Sequence, residues 1–414
     1  MPVQNPAPRR IRSYPVCLTA SLLILSLTMA CGGSDPAEIH DRMLTLDSHL
    51  DTPMRVFRIP SDLSVRHDRA SAAAGDLDFP RMREGGLDAA FFAVYVQQGA
   101  LSEAGRAGAK RTASDMLDMM EGWKIRYAAD MAFAHSPEDV RRIVGNGLRA
   151  VCIGMENGYP IGTDSTAVAA FHARGVRYIT LCHSRNNDIC DSSTDPAGPT
   201  WNGLSPFGES VVREMNRLGM LVDVSHVSDS AFYDALRISR APVIASHSCC
   251  RALMDNPRNL TDDMLRDLAA RGGVAQINLC SFYLIRTEPP AGRRAAMDSL
   301  KRIYGEWDRV PPSKRTEYEE ARAAVDRRYP VPKASVSDLA DHIDHAVRVA
   351  GIDHVGIGSD FDGGAGLSDC PDVSGFPAVT AELIRRGYSK KDLAAIWGGN
   401  FMRVWGEAVR AASK

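Results

Sequence analysis

No Cys-x-x-Cys pair occurs in this chain of 414 residues, although it carries nine cysteines. That absence excludes a zinc ribbon and a paired redox motif, and the irregular spacing offers no disulfide framework. No apolar run is long enough to cross a bilayer comfortably. The longest largely apolar run, Cys17 to Ala30, has 14 residues, against the ~20 that a membrane-spanning helix needs. No extended basic patch is present and the formal net charge is -2, which argues against a polyanion partner such as nucleic acid. The rest is ordinary: 44% hydrophobic and 24% charged, a globular composition with enough chain for one large domain or two average ones. Function must therefore reside in a site rather than in bulk charge.

Residues 1–36 read as a leader and a short tether. Arg9, Arg10 and Arg12 form a basic start, the apolar run follows, and the segment ends Leu27-Thr28-Met29-Ala30-Cys31-Gly32-Gly33-Ser34. This fits an export signal. The small residue before Cys31 and the flexible polar stretch after it resemble a bacterial lipoprotein cleavage site, with Leu27 one place further from the cysteine than usual. The expectation is an exported protein of the cell envelope or periplasm, held to the membrane by a lipid on Cys31. The alternative is an ordinary cleaved signal. Setting aside Cys17 and Cys31 leaves Cys152, Cys182, Cys190, Cys249, Cys250, Cys280 and Cys370. Most are expected as buried small hydrophobes, with one or two disulfides left open.

What the chain does have is a rhythm. Apolar strands are predicted from Met43 to Leu46, running on into His49-Leu50-Asp51, then from Asp88 to Val96, Ala150 to Met155, Val176 to Cys182, Met220 to Val224, Pro242 to Ala245, Val274 to Leu279 and His354 to Ser359. Helical segments separate them, several opened by Ser or Thr caps (Ser136-Pro137-Glu138, Thr261) and closed by glycine (Gly175, Gly219, Gly387). Eight strands alternating with helices predict a (β/α)8 TIM barrel over residues 37–414. The rhythm breaks once. Residues 284–332, bounded by Pro289-Pro290, Pro311-Pro312, Pro330 and Pro332, predict a helical insertion after the seventh strand. It would lie on the active-site side, as a lid or a contact in a homodimer.

Polar residues fall where the strands end. His49 and Asp51, Glu156, His183, His226, His247 and Asp360 all occupy C-terminal strand ends, the face on which barrel enzymes build their sites. His49 and Asp51 are two apart, and on a strand such residues share a face. Singly, each has a bland reading: His226 as a helix cap, His247 as a core histidine, Glu156 as a partner for an arginine. Together, three imidazoles and two carboxylates suit a pair of Zn2+ ions bridged by one carboxylate. His49, Asp51 and Glu156 would hold one ion; Glu156, His226 and His247 the other. The run Asp341-His342-Ile343-Asp344-His345 looks like a ligand cluster but lies within a predicted helix at the wrong end of the barrel. It is expected to be structural.

Asp47-Ser48-His49-Leu50-Asp51, Gly154-Met155-Glu156-Asn157-Gly158, Leu181-Cys182-His183-Ser184, Asp223-Val224-Ser225-His226-Val227-Ser228, Ala245-Ser246-His247-Ser248 and Gly358-Ser359-Asp360-Phe361-Asp362-Gly363 resemble the motifs of the membrane (renal) dipeptidase family, peptidase family M19. The resemblance runs from about Leu44 to Val404. It implies a (β/α)8 barrel with two zinc ions that hydrolyses dipeptides, with a hydroxide held between the ions as nucleophile. It places the ligands on His49, Asp51, Glu156, His226 and His247, with Glu156 bridging. It also implies roles that spacing does not give. His183 would contact the substrate carbonyl and steady the oxyanion. Arg258 would hold the C-terminal carboxylate. Asp360 would relay a proton to the leaving amine. The chain departs from the pattern at Cys280, where a tyrosine is expected in the mammalian relatives, and in the insertion. The rival readings are another binuclear-metal amidohydrolase, lactonase- or deaminase-like, and an exported binding lipoprotein without catalysis.

Overall fold

The predicted apolar runs become strands because both of their faces are covered. The computed structural model describes residues 1–2, 35–68, 71 and 74–412, so most of the leader, including Cys31, lies outside the described residues. The strands are Leu46–Leu50 (β1), Ala89–Tyr95 (β2), Met131–Phe133 (β3), Arg149–Glu156 (β4), Val176–Thr180 (β5), Leu221–Asp223 (β6), Ile244–Ala245 (β7), Val274–Ile277 (β8) and Val355–Ile357 (β9). All pair in parallel, in the order β1-β2-β4-β5-β6-β7-β8-β9. The ring closes between β9 and β1 through the Leu50–Phe361 bridge, with Asp360 N–H donating to His49 O at 3.0 Å. This is the expected (β/α)8 barrel. The extra strand, β3, pairs only with β4 and is too short to show a periodicity.

Two boundaries carry local chemistry. β1 ends at Leu50, and Pro53, three residues on, does not end regular structure. It sits in the first turn of a helix, Thr52–Arg58, where a missing N–H costs nothing. The last helical segment is interrupted by a wide turn at Ala395–Gly399 between Lys390–Ala394 and Asn400–Ala412. At that break Gly398 packs against the start of β1: a Cβ there would lie 3.1 Å from Leu44 O.

The two ends of the barrel differ in polarity. A separate apolar cluster joins Leu46, Ala89, Ala150, Leu221, Ile244 and Val274, at strand starts, to Phe401, Met402 and Trp405 of the last helix. It seals the N-terminal end, so only the C-terminal end is left to admit polar ligands. The insertion forms helices Arg293–Tyr304 and Arg315–Arg328 around its own small core of Leu300, Val310 and Tyr318. It docks on the helix after β1: the Arg58 guanidinium lies 3.9 Å over the Trp307 ring and donates to Trp307 O. All seven cysteines from Cys152 to Cys370 are buried and free, so the disulfides left open are absent among the described residues. No helix among the described residues is long and apolar enough to cross a membrane.

Candidate metal centre

The strand ends bring their polar groups to one place. Glu156, the last residue of β4, is buried at its centre. Its two carboxylate oxygens face different imidazoles. Oε2 lies 3.6 Å from His49 Nε2, whereas Oε1 lies 3.0 Å from His226 Nε2 and 3.4 Å from His247 Nε2. Asp51 Oδ1 lies 3.8 Å from His49 Nε2. Asp51 is already the residue before the helix that follows β1, with φ -91° and ψ 15°. The parity argument thus reaches the right neighbour although Asp51 has left the strand.

The ring orientations follow from what each nitrogen touches. His247 Nδ1 meets Ser246 Oγ at 2.8 Å, and Ser246 Oγ donates in turn to Asp223 Oδ2 at 2.6 Å. A hydroxyl that donates onward accepts from Nδ1–H, which leaves the His247 Nε2 lone pair facing Glu156. His49 Nδ1 is engaged by the Tyr178 hydroxyl at 2.7 Å, which turns Nε2 toward the carboxylates. Tyr178 fits only because Gly154 faces it: a Cβ there would lie 2.2 Å from the Tyr178 ring. Sequence reasoning missed Tyr178, since a tyrosine in an apolar strand reads as core.

Backbone strain and electrostatics concentrate here. Asn157, His226, Asp360 and Asp362 all have positive φ, at 72°, 70°, 65° and 66°, a region costly for residues other than glycine. Burial, with Arg258 and His183 nearby, holds the His226 imidazole well below its usual range. Burial with His49 and Arg258 nearby does the same for His247. Both are therefore held in the neutral form, the form in which an imidazole can take a metal. His49 goes the other way. Burial opposes its charge, but Glu156, Asp51 and Asp360 outweigh it and raise its pKa to about 10. Burial and the Glu156 charge push Asp51 well above the carboxylate range. Glu156 is drawn well below it, because the surrounding histidines outweigh its burial.

A cation fits this set. His49 Nε2 and Asp51 Oδ1 are buried with no hydrogen-bond partner, and such groups are normally satisfied. His49, Glu156 and His247, then Glu156, His183 and His226, then His49, Asp51 and Asp360 each offer ligand atoms within 4.8 Å of one another. Imidazole nitrogens with carboxylate oxygens are the donors that divalent zinc-type ions take.

Around this centre is a cavity of ≈ 180 Å³. His183, just beyond β5, lines it. Its Nδ1 meets Ser184 Oγ at 2.8 Å and the Tyr95 hydroxyl at 3.4 Å, both able to donate, and burial keeps the ring neutral. Nε2 points inward, 3.7 Å from Glu156 Oε1. Arg258 also lines the cavity, 4% exposed, with Nε unpartnered. Its other nitrogens donate to Ser248 Oγ and His247 O, and its guanidinium lies 5.2 Å from the Tyr283 ring centre. It has no acidic partner among the described residues. Asp360 faces the same space, its carboxyl raised by burial. Phe282 and Tyr283 wall the cavity, whereas no described residue of the insertion lines it. The Asp341–His345 run is structural, as expected. Asp341 and Asp344 hold Arg386, and His342 clips Cys250 N–H to Leu284 O.

The barrel, with its clustered imidazoles, buried carboxylates and unpaired guanidinium at one end, defines a metal-dependent hydrolase. A profile of the membrane dipeptidases (peptidase family M19) matches residues 35–414. The chain is 34% identical over 374 residues to dipeptidase tcpJ of Claviceps purpurea, covering 89% of this chain and 77% of that one. Dipeptidase aclJ of Aspergillus oryzae is 33% identical over 345 residues, covering 82% and 71%. In structure it resembles the probable dipeptidase PvdM from Pseudomonas aeruginosa, with TM-score 0.75 and 32% identity over 91% of this chain and 98% of that one. The chain belongs to the membrane dipeptidase family, peptidase family M19, and is a metal-dependent hydrolase acting on dipeptides.

Proposed function

We propose that the site holds two zinc ions, with His49 and Asp51 on one side of Glu156 and His226 and His247 on the other. The observation that carries this reading is the split of the Glu156 carboxylate, Oε2 toward His49 and Oε1 toward His226 and His247. A bound pair supplies a water of lowered pKa and polarises the scissile carbonyl. The rest falls to the chain. Arg258 takes the substrate's free carboxylate on its open Nε edge. His183 Nε2–H donates to the carbonyl oxygen as charge develops there. Asp360 takes the proton of the attacking water and delivers it to the departing nitrogen. The cavity of ≈ 180 Å³ is smaller than the ~300 Å³ at which pockets for larger ligands begin, which favours two-residue substrates with small side chains.

The test is metal-stripped protein titrated with zinc against a panel of L-L and L-D dipeptides. Activity is expected to saturate at two zinc ions per chain. Saturation at one would refute the binuclear reading. Tyr178→Phe should weaken zinc binding by about 10- to 100-fold, the usual effect of losing a partner that orients a ligand. A competition titration with a chromogenic chelator measures it, and an unchanged affinity would assign Tyr178 to packing alone.

Export and lipidation of Cys31 belong to this proposal as well. They are supported by the basic start, the apolar run and the small residue before the cysteine. Labelled fatty acid should be incorporated by the wild type and not by Cys31→Ala.

A further inference from the structure

The Asp360 carboxylate is held from one side only. Its Oδ2 accepts one hydrogen bond from Asn278 Nδ2 at 3.0 Å and another from the Cys280 thiol at 3.2 Å. Both donors lie just past the end of β8 and are fully buried. The orientation of the Asn278 amide is fixed by a third contact. Its Oδ1 accepts the Cys280 backbone N–H at 2.5 Å. A backbone N–H can only donate, so Nδ2 must be the group turned to Asp360. Cys280 stays protonated, because burial and the neighbouring Asp360 charge both oppose a thiolate. Its S–H is therefore available to the carboxylate. The other oxygen, Oδ1, lies beside Gly363 at the cavity wall. A Cβ at Gly363 would come within 2.0 Å of Asp360 Oδ1 and 2.7 Å of Asp51 Oδ2.

We infer that Asn278 and Cys280 are positioning residues that fix the Asp360 carboxylate with Oδ2 occupied, so that Oδ1 alone exchanges the proton. The inference rests on the role proposed for Asp360. During turnover the water O–H bond breaks as the new C–O bond forms, and Oδ1 takes that proton. The proton then passes to nitrogen as the C–N bond breaks, and Asp360 returns to a carboxylate. A carboxylate free to rotate would present either oxygen, at a varying angle, to the proton it carries. Two donors on one oxygen prevent that rotation. A merely structural role would satisfy the buried carboxylate without affecting the proton transfer, and the two differ in what they do to kcat.

The test uses the full chain and L-Ala-L-Ala. Cys280→Ala is expected to lower kcat about tenfold, the effect of one hydrogen bond to a charged group, with KM within about twofold. Cys280→Ser, which keeps a donor, is expected to recover kcat to within about threefold of the wild type. Metal content and melting temperature should not change in either. A second readout needs no turnover. The infrared S–H stretching band of Cys280, assigned as the band lost in Cys280→Ser, should shift in Asp360→Asn protein stripped of metal. Equal kcat in the wild type, Ala and Ser proteins would overturn the inference, as would an unmoved S–H band. If the wild type hydrolyses no dipeptide, the proposed function fails, and the infrared band still decides whether the thiol holds Asp360.

Discussion

Glu156→Ala is expected to lose bound metal and dipeptide hydrolysis together. Glu156 faces both sides of the site. Its Oε2 approaches His49 while Oε1 approaches His226 and His247. On the proposed two-ion reading, each of the other ligands belongs to one side only. Losing a group that only supports a ligand costs about 10- to 100-fold in metal affinity or activity. Losing the shared group should exceed that, with kcat/KM reduced by more than about 100-fold. Glu156→Gln sharpens the test. The amide keeps the shape but offers one acceptor oxygen in place of two, so it can serve one side only. It should retain about half of the metal and little of the turnover. Elemental analysis of the purified variants and initial rates on L-Ala-L-Ala measure both. Near-normal turnover by Glu156→Ala would sink the shared-carboxylate scheme.

The sequence made the barrel legible because its strands are apolar on both faces and are punctuated by helix caps and glycine stops. It made the centre legible because polar residues at strand ends have no other explanation that covers all of them at once. His49, Glu156, His226 and His247 needed only that argument. Asp51 was reached by a parity rule whose premise fails locally, since the chain leaves the strand before it. His183, Arg258 and Asp360 needed the family resemblance, because their roles depend on which way a side chain turns inside a loop. The contacts of the supporting residues stayed hidden for a different reason, even at Cys280, which stood out only as a departure from the family pattern. Tyr178, Ser246, Asn278 and Cys280 act through contacts with residues 129, 1, 82 and 80 positions away or adjacent in the chain, and no periodicity encodes such partners. The docking of the insertion on Arg58, through Trp307, is equally long-range. It places the insertion against the helix after β1 and leaves the wall of the cavity to Phe282 and Tyr283.

Arg258→Ala should separate substrates by what stands at their C-terminus. KM for free dipeptides is expected to rise about 10- to 100-fold, the worth of charge-assisted hydrogen bonds to a carboxylate. KM for the C-terminal amides should change by less than about threefold, because they carry no charge for the guanidinium to meet. The expectation follows from the state of Arg258 in the structure. It is 4% exposed, without an acidic partner among the described residues, and its Nε has no hydrogen bond. A buried cation left in that condition is expensive unless an anion arrives, and the cavity it lines is where one can. The same side chain also donates to His247 O and Ser248 Oγ and lies against the Tyr283 ring. Its loss could therefore disturb His247, a proposed metal ligand, rather than the substrate. The two effects differ in signature. A disturbed His247 lowers metal content and slows every substrate alike, amides included. A lost carboxylate contact leaves the metal in place and acts on KM for free dipeptides alone. Arg258→Lys adds a graded check: it keeps the charge but not the planar fork, and should fall between the wild type and alanine. Equal effects on free and amidated dipeptides at full metal content would refute the carboxylate role.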